Sequence, residues 1–187
     1  MFMGGLYNIY FLTLFLLSFA NMDPFHNHIN EVKMDFRISS HSFKDGEFIP
    51  TRYTCDGANV SPPLVWTAPP EKTKSFALIN NDPDAPVGDW VHWILFNIPA
   101  DTSELKEESS SKHNLPKGTI EGMNDFRKNN YGGPCPPSGT HRYFFKLYAL
   151  DILLQLKEST TKKQLLDAMK GHILAEATLM GKYKRQR

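Results

Sequence analysis

Tyr131-Gly132-Gly133-Pro134-Cys135-Pro136-Pro137-Ser138-Gly139-Thr140-His141-Arg142-Tyr143 runs without a break into Phe144-Phe145-Lys146-Leu147-Tyr148-Ala149-Leu150. The first half is a loop. Its glycines allow close backbone approach, and its prolines stiffen the chain while removing amide donors. The second half alternates, with Tyr143, Phe145, Leu147 and Ala149 on one face and Phe144, Lys146 and Tyr148 on the other, so it predicts a strand over 142–150 with aromatic weight on both faces. His141 and Arg142 stand at the junction on opposite faces, and only one of them can turn into a site formed by the loop.

A matching junction lies upstream. The apolar run Phe76–Ile79 stops at Asn80-Asn81-Asp82-Pro83-Asp84-Ala85-Pro86, and Gly88-Asp89-Trp90-Val91-His92-Trp93 brings the chain back. Two turns that feed strands, each with a histidine at the strand start, give a candidate constellation of Asp82, Asp84, His92 and His141. The phosphate-loop pattern, the Gly-x-Ser-x-Gly elbow and the His-Glu-x-x-His helix are absent from the sequence.

Outward from these junctions the chain reads as mostly β. Residues 36–43 alternate as a first strand, and Leu64-Val65-Trp66 is a short strand between prolines, suited to an edge or a bend. Residues 75–80 and 91–98 are dense enough in β-branched and aromatic residues to be strands buried on both faces. Residues 102–114, rich in Ser, Glu and Lys, read as a solvent-exposed connection. Thr161-Lys162-Lys163-Gln164 matches a capping box, Leu165, Leu166 and Met169 give the helix that follows an apolar face, and Gly171 suits its left-handed end. Residues 173–182 predict a last strand. A chain of 187 residues with thirteen prolines and twelve glycines fits one β-rich domain. Its 21 basic and 20 acidic side chains leave a net charge of +1, which offers no field for nucleic acid or an anionic membrane.

Asp82-Pro83-Asp84-Ala85-Pro86, Trp90-x-His92 and Gly133-Pro134 through His141-Arg142-Tyr143 resemble the two signature regions of the phosphatidylethanolamine-binding protein family. Tyr53-Thr54-Cys55-Asp56-Gly57, Ser61-Pro62-Pro63-Leu64 and Gly171-His172-Ile173-Leu174-Ala175 resemble its bacterial, Raf-kinase-inhibitor-like branch, and the likeness runs from about Phe36 to Tyr183. The resemblance implies a two-sheet β-sandwich with Greek-key-like connections and one or two peripheral helices. It also implies an anion pocket formed by Asp82, His92, His141 and Tyr143, walled by Trp90 and a Gly133-Pro134 rim that includes Cys135. Charged imidazoles and rim amides would cradle a phosphate or carboxylate, with Asp82 orienting a histidine. Asp84 reads equally as a pocket group or as a turn cap, and Arg142 as the partner of a carboxylate beneath the rim. His26, His28, His41, His113 and His172 read as surface or local structure. Eukaryotic members carry a further C-terminal helix over the pocket mouth, so the mouth here is expected to be open or closed by a second copy in a homodimer.

The function classes follow from that pocket. The leading expectation is a binder of a small anionic or phosphorylated ligand, a phospholipid head group among them, that regulates a partner protein. The alternative is a protease or kinase inhibitor acting through its surface. A hydrolase or metal enzyme using Asp82, His92 and His141 comes last, with Cys135 the one nucleophile in the rim. The chain is therefore read as a non-enzyme with no cofactor, no metal and no nucleic-acid partner.

Residues 9–20 are apolar and end in Ser18-Phe19-Ala20, the spacing of a signal-peptidase site, yet no Lys or Arg precedes Lys33. Residues 1–20 thus read as a secretory signal or as an extension, with translation starting at Met34 in the second case, residues 21–35 as a linker and residues 36–187 as the domain. The signal reading implies a periplasmic or secreted protein, and the other a cytoplasmic one. Export would allow Cys55 and Cys135 to pair, closing a loop of ~80 residues worth about 4 kcal/mol in the chain-entropy model, whereas a cytosol would keep them reduced.

Overall fold

The computed structural model describes Met1, residues 35–110 and residues 114–185. The expectations for residues 1–20 and for Met34 lie outside the described residues. Among the described residues eight strands and one α-helix form in the order β1 (Arg37–Ser39), β2 (Leu64–Thr67), β3 (Ser75–Asp82), β4 (Trp90–Pro99), β5 (Glu104–Leu105), β6 (Ile120–Glu121), β7 (His141–Leu150), α1 (Lys162–Met169) and β8 (Ile173–Tyr183). A 3-10 turn, Thr51–Tyr53, precedes the loop that carries Cys55.

The strands sort into two sheets: β1-β2-β5, and β6-β4-β3-β7-β8, antiparallel throughout. In the larger sheet β3, β4 and β6 follow one another, and β7 then returns to lie beside β3, which is the Greek-key order. That return is what brings the start of β7 next to the end of β3. Ile38, Leu64, Trp66 and Leu105 of the small sheet pack with Phe76, Leu78, Trp93, Leu95, Phe145 and Leu147 of the large one to make the sandwich core. The large sheet is covered on its other face as well, where Ala77, Ile79, Ile94, Phe96 and Leu150 meet Leu154, Leu165 and Met169. Cover on both faces explains why β3 is buried at every position, as its continuous apolar run predicts.

The helix forms for the reason its sequence gives. Thr161 Oγ1 accepts from the Gln164 amide, and the Thr161 amide donates to Gln164 Oε1 at 2.9 Å, closing the capping box. Leu165 and Met169, one turn apart, are fully buried and each contributes about 1.5–3 kcal/mol of apolar transfer. Gly171, at φ +79°, takes the left-handed turn that ends the helix and starts β8.

Two expectations need correction. The first strand is shorter than residues 36–43, because the Ser40 hydroxyl donates to the Pro63 carbonyl and accepts the Ser42 amide, turning the chain out of the sheet. The segment 102–114 is not a solvated connection along its first part. Glu104–Leu105 pairs with β2, Leu105 is buried in the sandwich core, and Ser109 and Ser110 are buried too. Ser110 Oγ donates to Glu121 Oε1 and accepts the Tyr131 amide at 2.8 Å, so a polar composition here marks interior hydrogen bonding.

Candidate functional site

Asp82 ends β3, and its carboxylate starts the turn that follows: Oδ1 accepts the Asp84 amide at 2.8 Å. Proline and alanine carry the turn to Gly88, whose φ of +99° reverses the chain into β4. The β3–β4 ladder then slips. Asn80 pairs with Trp93 but Asn81 pairs with Val91, so His92 is the unpaired extra residue of a β-bulge. A bulge re-aims a side chain, and here it lets His92 leave the regular alternation, with Val91 on the helix-covered face and Trp93 in the sandwich core.

His92 is fixed from the rim side. Its Nδ1 donates to the Gly132 carbonyl at 2.6 Å, and its own carbonyl accepts the Gly132 amide at 3.0 Å. Burial pushes its pKa below the ordinary imidazole value of 6.5, against the opposing pull of the Gly132 carbonyl and the Asp82 and Asp125 carboxylates. The expectation of two charged imidazoles is corrected accordingly: His92 is a neutral ring whose Nδ1 proton is committed to the backbone.

On β7, His141 Nδ1 donates to Asp82 Oδ2 at 2.7 Å, and both side chains are buried. Asp82 orients a histidine, as expected. Arg142 points the other way and clamps Asp84 with two hydrogen bonds, Nε to Oδ2 at 2.8 Å and a terminal nitrogen to Oδ1 at 2.7 Å, while its amide adds a third. That guanidinium holds the Asp84 carboxyl down at about 2. Asp84 is thereby assigned to structure: it ties the β3–β4 turn to β7 and does not line the cavity, which corrects its place among the pocket groups. Tyr143, the next residue on the His141 face, is fully buried, edge-on to His92 with centroids 5.2 Å apart. Its hydroxyl is buried near the Asp82 carboxylate and the Cys135 backbone, and desolvation raises its pKa.

These groups meet at the floor of a cavity of about 330 Å³. Asp82, His92, His141 and Tyr143 form the polar floor, while Val87, Trp90, Phe126, Pro136 and Pro137 supply apolar walls. Gly133 and Pro134 do not reach it, contrary to expectation. Gly133 donates its amide to Asn59 Oδ1 at 2.8 Å, and a Cβ there would stand 2.5 Å from that oxygen and from the Tyr53 carbonyl. The glycine exists for close packing behind the rim, and the cavity wall is the Cys135–Pro137 stretch beyond it. Cys135 is disulfide-bonded to Cys55, with Cα atoms 5.4 Å apart, so the one nucleophile foreseen in the rim is not a free thiol.

Phe126, with Val87, is a wall residue that sequence reasoning missed. Its ring lies edge-on to Trp90 and to His92, each with a centroid distance of 5.4 Å. It is held by a loop zipped against the start of β4. Asp125 exchanges hydrogen bonds with Val91, and the Asn124 side chain bonds the carbonyls of His92 and Asn130 and the Lys128 amide. The signal was present in Asn124-Asp125, two residues whose side chains build local turns ahead of an aromatic. Among the described residues no group of three or more His, Cys, Asp and Glu is placed to hold a metal ion. Both histidine Nδ1 atoms are already engaged.

The family described as phosphatidylethanolamine-binding protein matches residues 39–184. A UPF0098 protein of Methanothermobacter thermautotrophicus is 52% identical over 148 residues, covering 79% of this chain and 98% of the relative, and one from Aquifex aeolicus is 48% identical over 151 residues, covering 79% and 88%. Among solved structures, a putative phosphatidylethanolamine-binding protein homologue from Chlamydia trachomatis superposes with a TM-score of 0.76 at 40% identity, covering 81% of this chain and 98% of that one. YbcL of Escherichia coli, described as a member of the mammalian family, gives 0.76 at 34% identity, covering 81% and 99%. With its sandwich, its paired signature junctions and these relatives in agreement, the chain belongs to the phosphatidylethanolamine-binding protein family.

Proposed function

We propose that the chain binds a small phosphate- or carboxylate-bearing ligand, a phospholipid head group among them, in the cavity above Asp82, His92, His141 and Tyr143. The observation that carries this is the convergence of the Asp82-held His141 ring, His92 and Tyr143 at the floor of one apolar-walled cavity. The Asp82 bond engages His141 Nδ1 and leaves Nε2 as the ring nitrogen for a ligand, an acceptor in the neutral ring and a donor in the imidazolium. Asp82 itself is an acceptor and repels an anion, which makes it the orienting group. The apolar walls exclude water from these bonds and suit a compact organic substituent, with Trp90 and Phe126 able to face a cationic amine. The reading is of a binding protein and not an enzyme. The disulfide supports an oxidising compartment outside the cytosol.

Titration calorimetry with inorganic phosphate, phosphoethanolamine and acetate tests the proposal on the wild type and on Tyr143→Phe and His141→Gln. Binding that weakens in both variants while melting temperatures hold supports it, and no heat with any of the three anions sinks it. Val87 and Phe126, exposed at 77% and 41%, flank the mouth and favour a second reading, a regulator or inhibitor that touches a partner protein there. Retention of a protease or kinase by the wild type, lost in Val87→Asp, would select that reading.

A further inference from the structure

We infer that the ligand is a dianion that straddles the Phe126 ring, with a phosphate on the cavity floor and a second anionic group, a carboxylate or another phosphate, seated by Lys128 and Asn130 in an adjoining recess. The inference rests on the anion-binding reading of the cavity and names the class of ligand the cavity takes.

The recess has a volume of about 190 Å³ and lies beside the 330 Å³ cavity. Phe126 and Cys135 line both spaces, so the two adjoin across this pair of side chains. Cys135 is held by its bond to Cys55, which lines the recess. The Phe126 ring is held as well. Trp90 and His92 meet it at centroid distances of 5.4 Å, and a Cβ on Gly132 would stand 2.7 Å from its Cε2, so a glycine is what lets the ring lie there. The ring keeps one side open to solvent, and a ligand crosses from one space to the other over it.

The recess differs from the cavity in its chemistry. Asp82 stands on the cavity floor, whereas among the described residues no carboxylate lines the recess. Its donors are uncommitted. The Lys128 and Asn130 side chains make no hydrogen bond or ion pair among the described residues. Asn59 Oδ1 accepts the Gly133 amide at 2.8 Å, which leaves the Asn59 NH2 as a further donor. The Asp56 carboxylate, next to Cys55 in the chain, is engaged by Arg185 and the Tyr183 hydroxyl and does not neutralise Lys128. An ammonium and two carboxamide NH2 groups around an acid-free recess suit an anion.

One frame carries both seats. Asn124 is buried, and its side-chain nitrogen donates to the His92 carbonyl at 3.4 Å and to the Asn130 carbonyl at 2.7 Å. Its Oδ1 accepts the Lys128 amide at 3.0 Å, and its own amide donates to the Lys128 carbonyl at 2.9 Å, closing a turn in which Arg127 takes φ +61°. The spacing of the His92 and Lys128 backbones is thus set before a ligand arrives, and a ligand that matches it loses little order on binding. Van der Waals contact on both sides of one ring separates the two anionic groups by about 7 Å, the reach of a chain on the order of five carbons. A ligand of that length with a charge at each end is a water-soluble dianion without an acyl chain.

Titration calorimetry on the full chain tests this with phosphonates standing for the phosphate. The probes are ω-phosphonopentanoate, which has a carboxylate at the far end, and pentylphosphonate, which lacks it. Phosphonoacetate and ethylphosphonate form the short pair, whose groups cannot span the ring. The carboxylate should tighten binding about fivefold in the long pair and not in the short one. Lys128→Met should erase that gain, so that the two long probes bind alike, while Arg127→Met, next in the chain but outside the recess, should keep most of it. A gain that survives Lys128→Met, or that Arg127→Met removes to the same extent, overturns the seat in the recess. Pentylphosphonate binding with no gain from the carboxylate overturns it too and leaves the anion-binding reading standing. If neither long probe binds, the anion-binding reading fails and this inference falls with it.

Discussion

At the scale of single residues, His92 and Asp84 show two opposite uses of a titratable group. His92 is buried neutral, with its folded pKa below the unfolded value of 6.5. Above that value both states are neutral and the ring adds no pH dependence. Below it the unfolded chain takes up a proton that the folded chain refuses, so stability falls as pH drops beneath about 6.5. Thermal unfolding between pH 7.5 and 5 should show this slope, and His92→Gln should flatten it; a slope unaffected by the substitution would assign the effect elsewhere. Asp84 carries the same sign for the opposite reason, since there the charged form is the one the fold favours. Its carboxyl is held at about 2 against an ordinary 3.8, so the Arg142 clamp is complete above that ordinary value and is lost as pH falls through 2. Because Arg142 is half-exposed, solvent screens the pair, and Arg142→Ala should cost about 1 kcal/mol or less in urea unfolding. Its greater effect should be on the turn that presents Ala85, Pro86 and Val87 to the cavity, read as weaker phosphate binding. A loss of several kcal/mol instead would mean the clamp is a core element.

Elements were legible in the sequence where a local rule decided them. The capping box and Gly171 bounded α1 because each acts within one helical turn, and the apolar density of β3 and β4 announced burial on both faces. Thr161→Ala should therefore cost about 1 kcal/mol, and Met169→Ala about 2–5 kcal/mol, since its side chain is sealed against the large sheet. Urea midpoints measure both, and equal losses would show that the cap has a tertiary role. What stayed illegible depends on partners far along the chain. The two-residue strands β5 and β6 are too short for any periodicity to register, and Ser110 reads as solvent-facing until Glu121 and Tyr131 are seen beside it. In the site, Asp82, His92, His141 and Tyr143 came from the signature junctions. Phe126 and the displacement of Gly133 behind the rim came only from tertiary packing, and the bulge that aims His92 is a register event invisible in one strand alone.

At the scale of the whole described domain, the disulfide raises a question of magnitude, namely whether the fold outlasts its removal. The bridged cysteines are 80 residues apart, which the chain-entropy relation converts to about 4.5 kcal/mol, acting through the unfolded state. Domains of this size hold about 5–15 kcal/mol. The reduced chain should thus remain folded with a much smaller margin, supported by a core that spans both sheets and does not include either cysteine. Urea unfolding of the Cys55→Ser/Cys135→Ser variant should show a loss of about 4 kcal/mol and a steeper dependence on urea, because the uncrosslinked unfolded chain exposes more surface. The steeper slope is the discriminating reading. A comparable loss with an unchanged slope would place the effect in the native state, where the bridge would be holding the sandwich itself together.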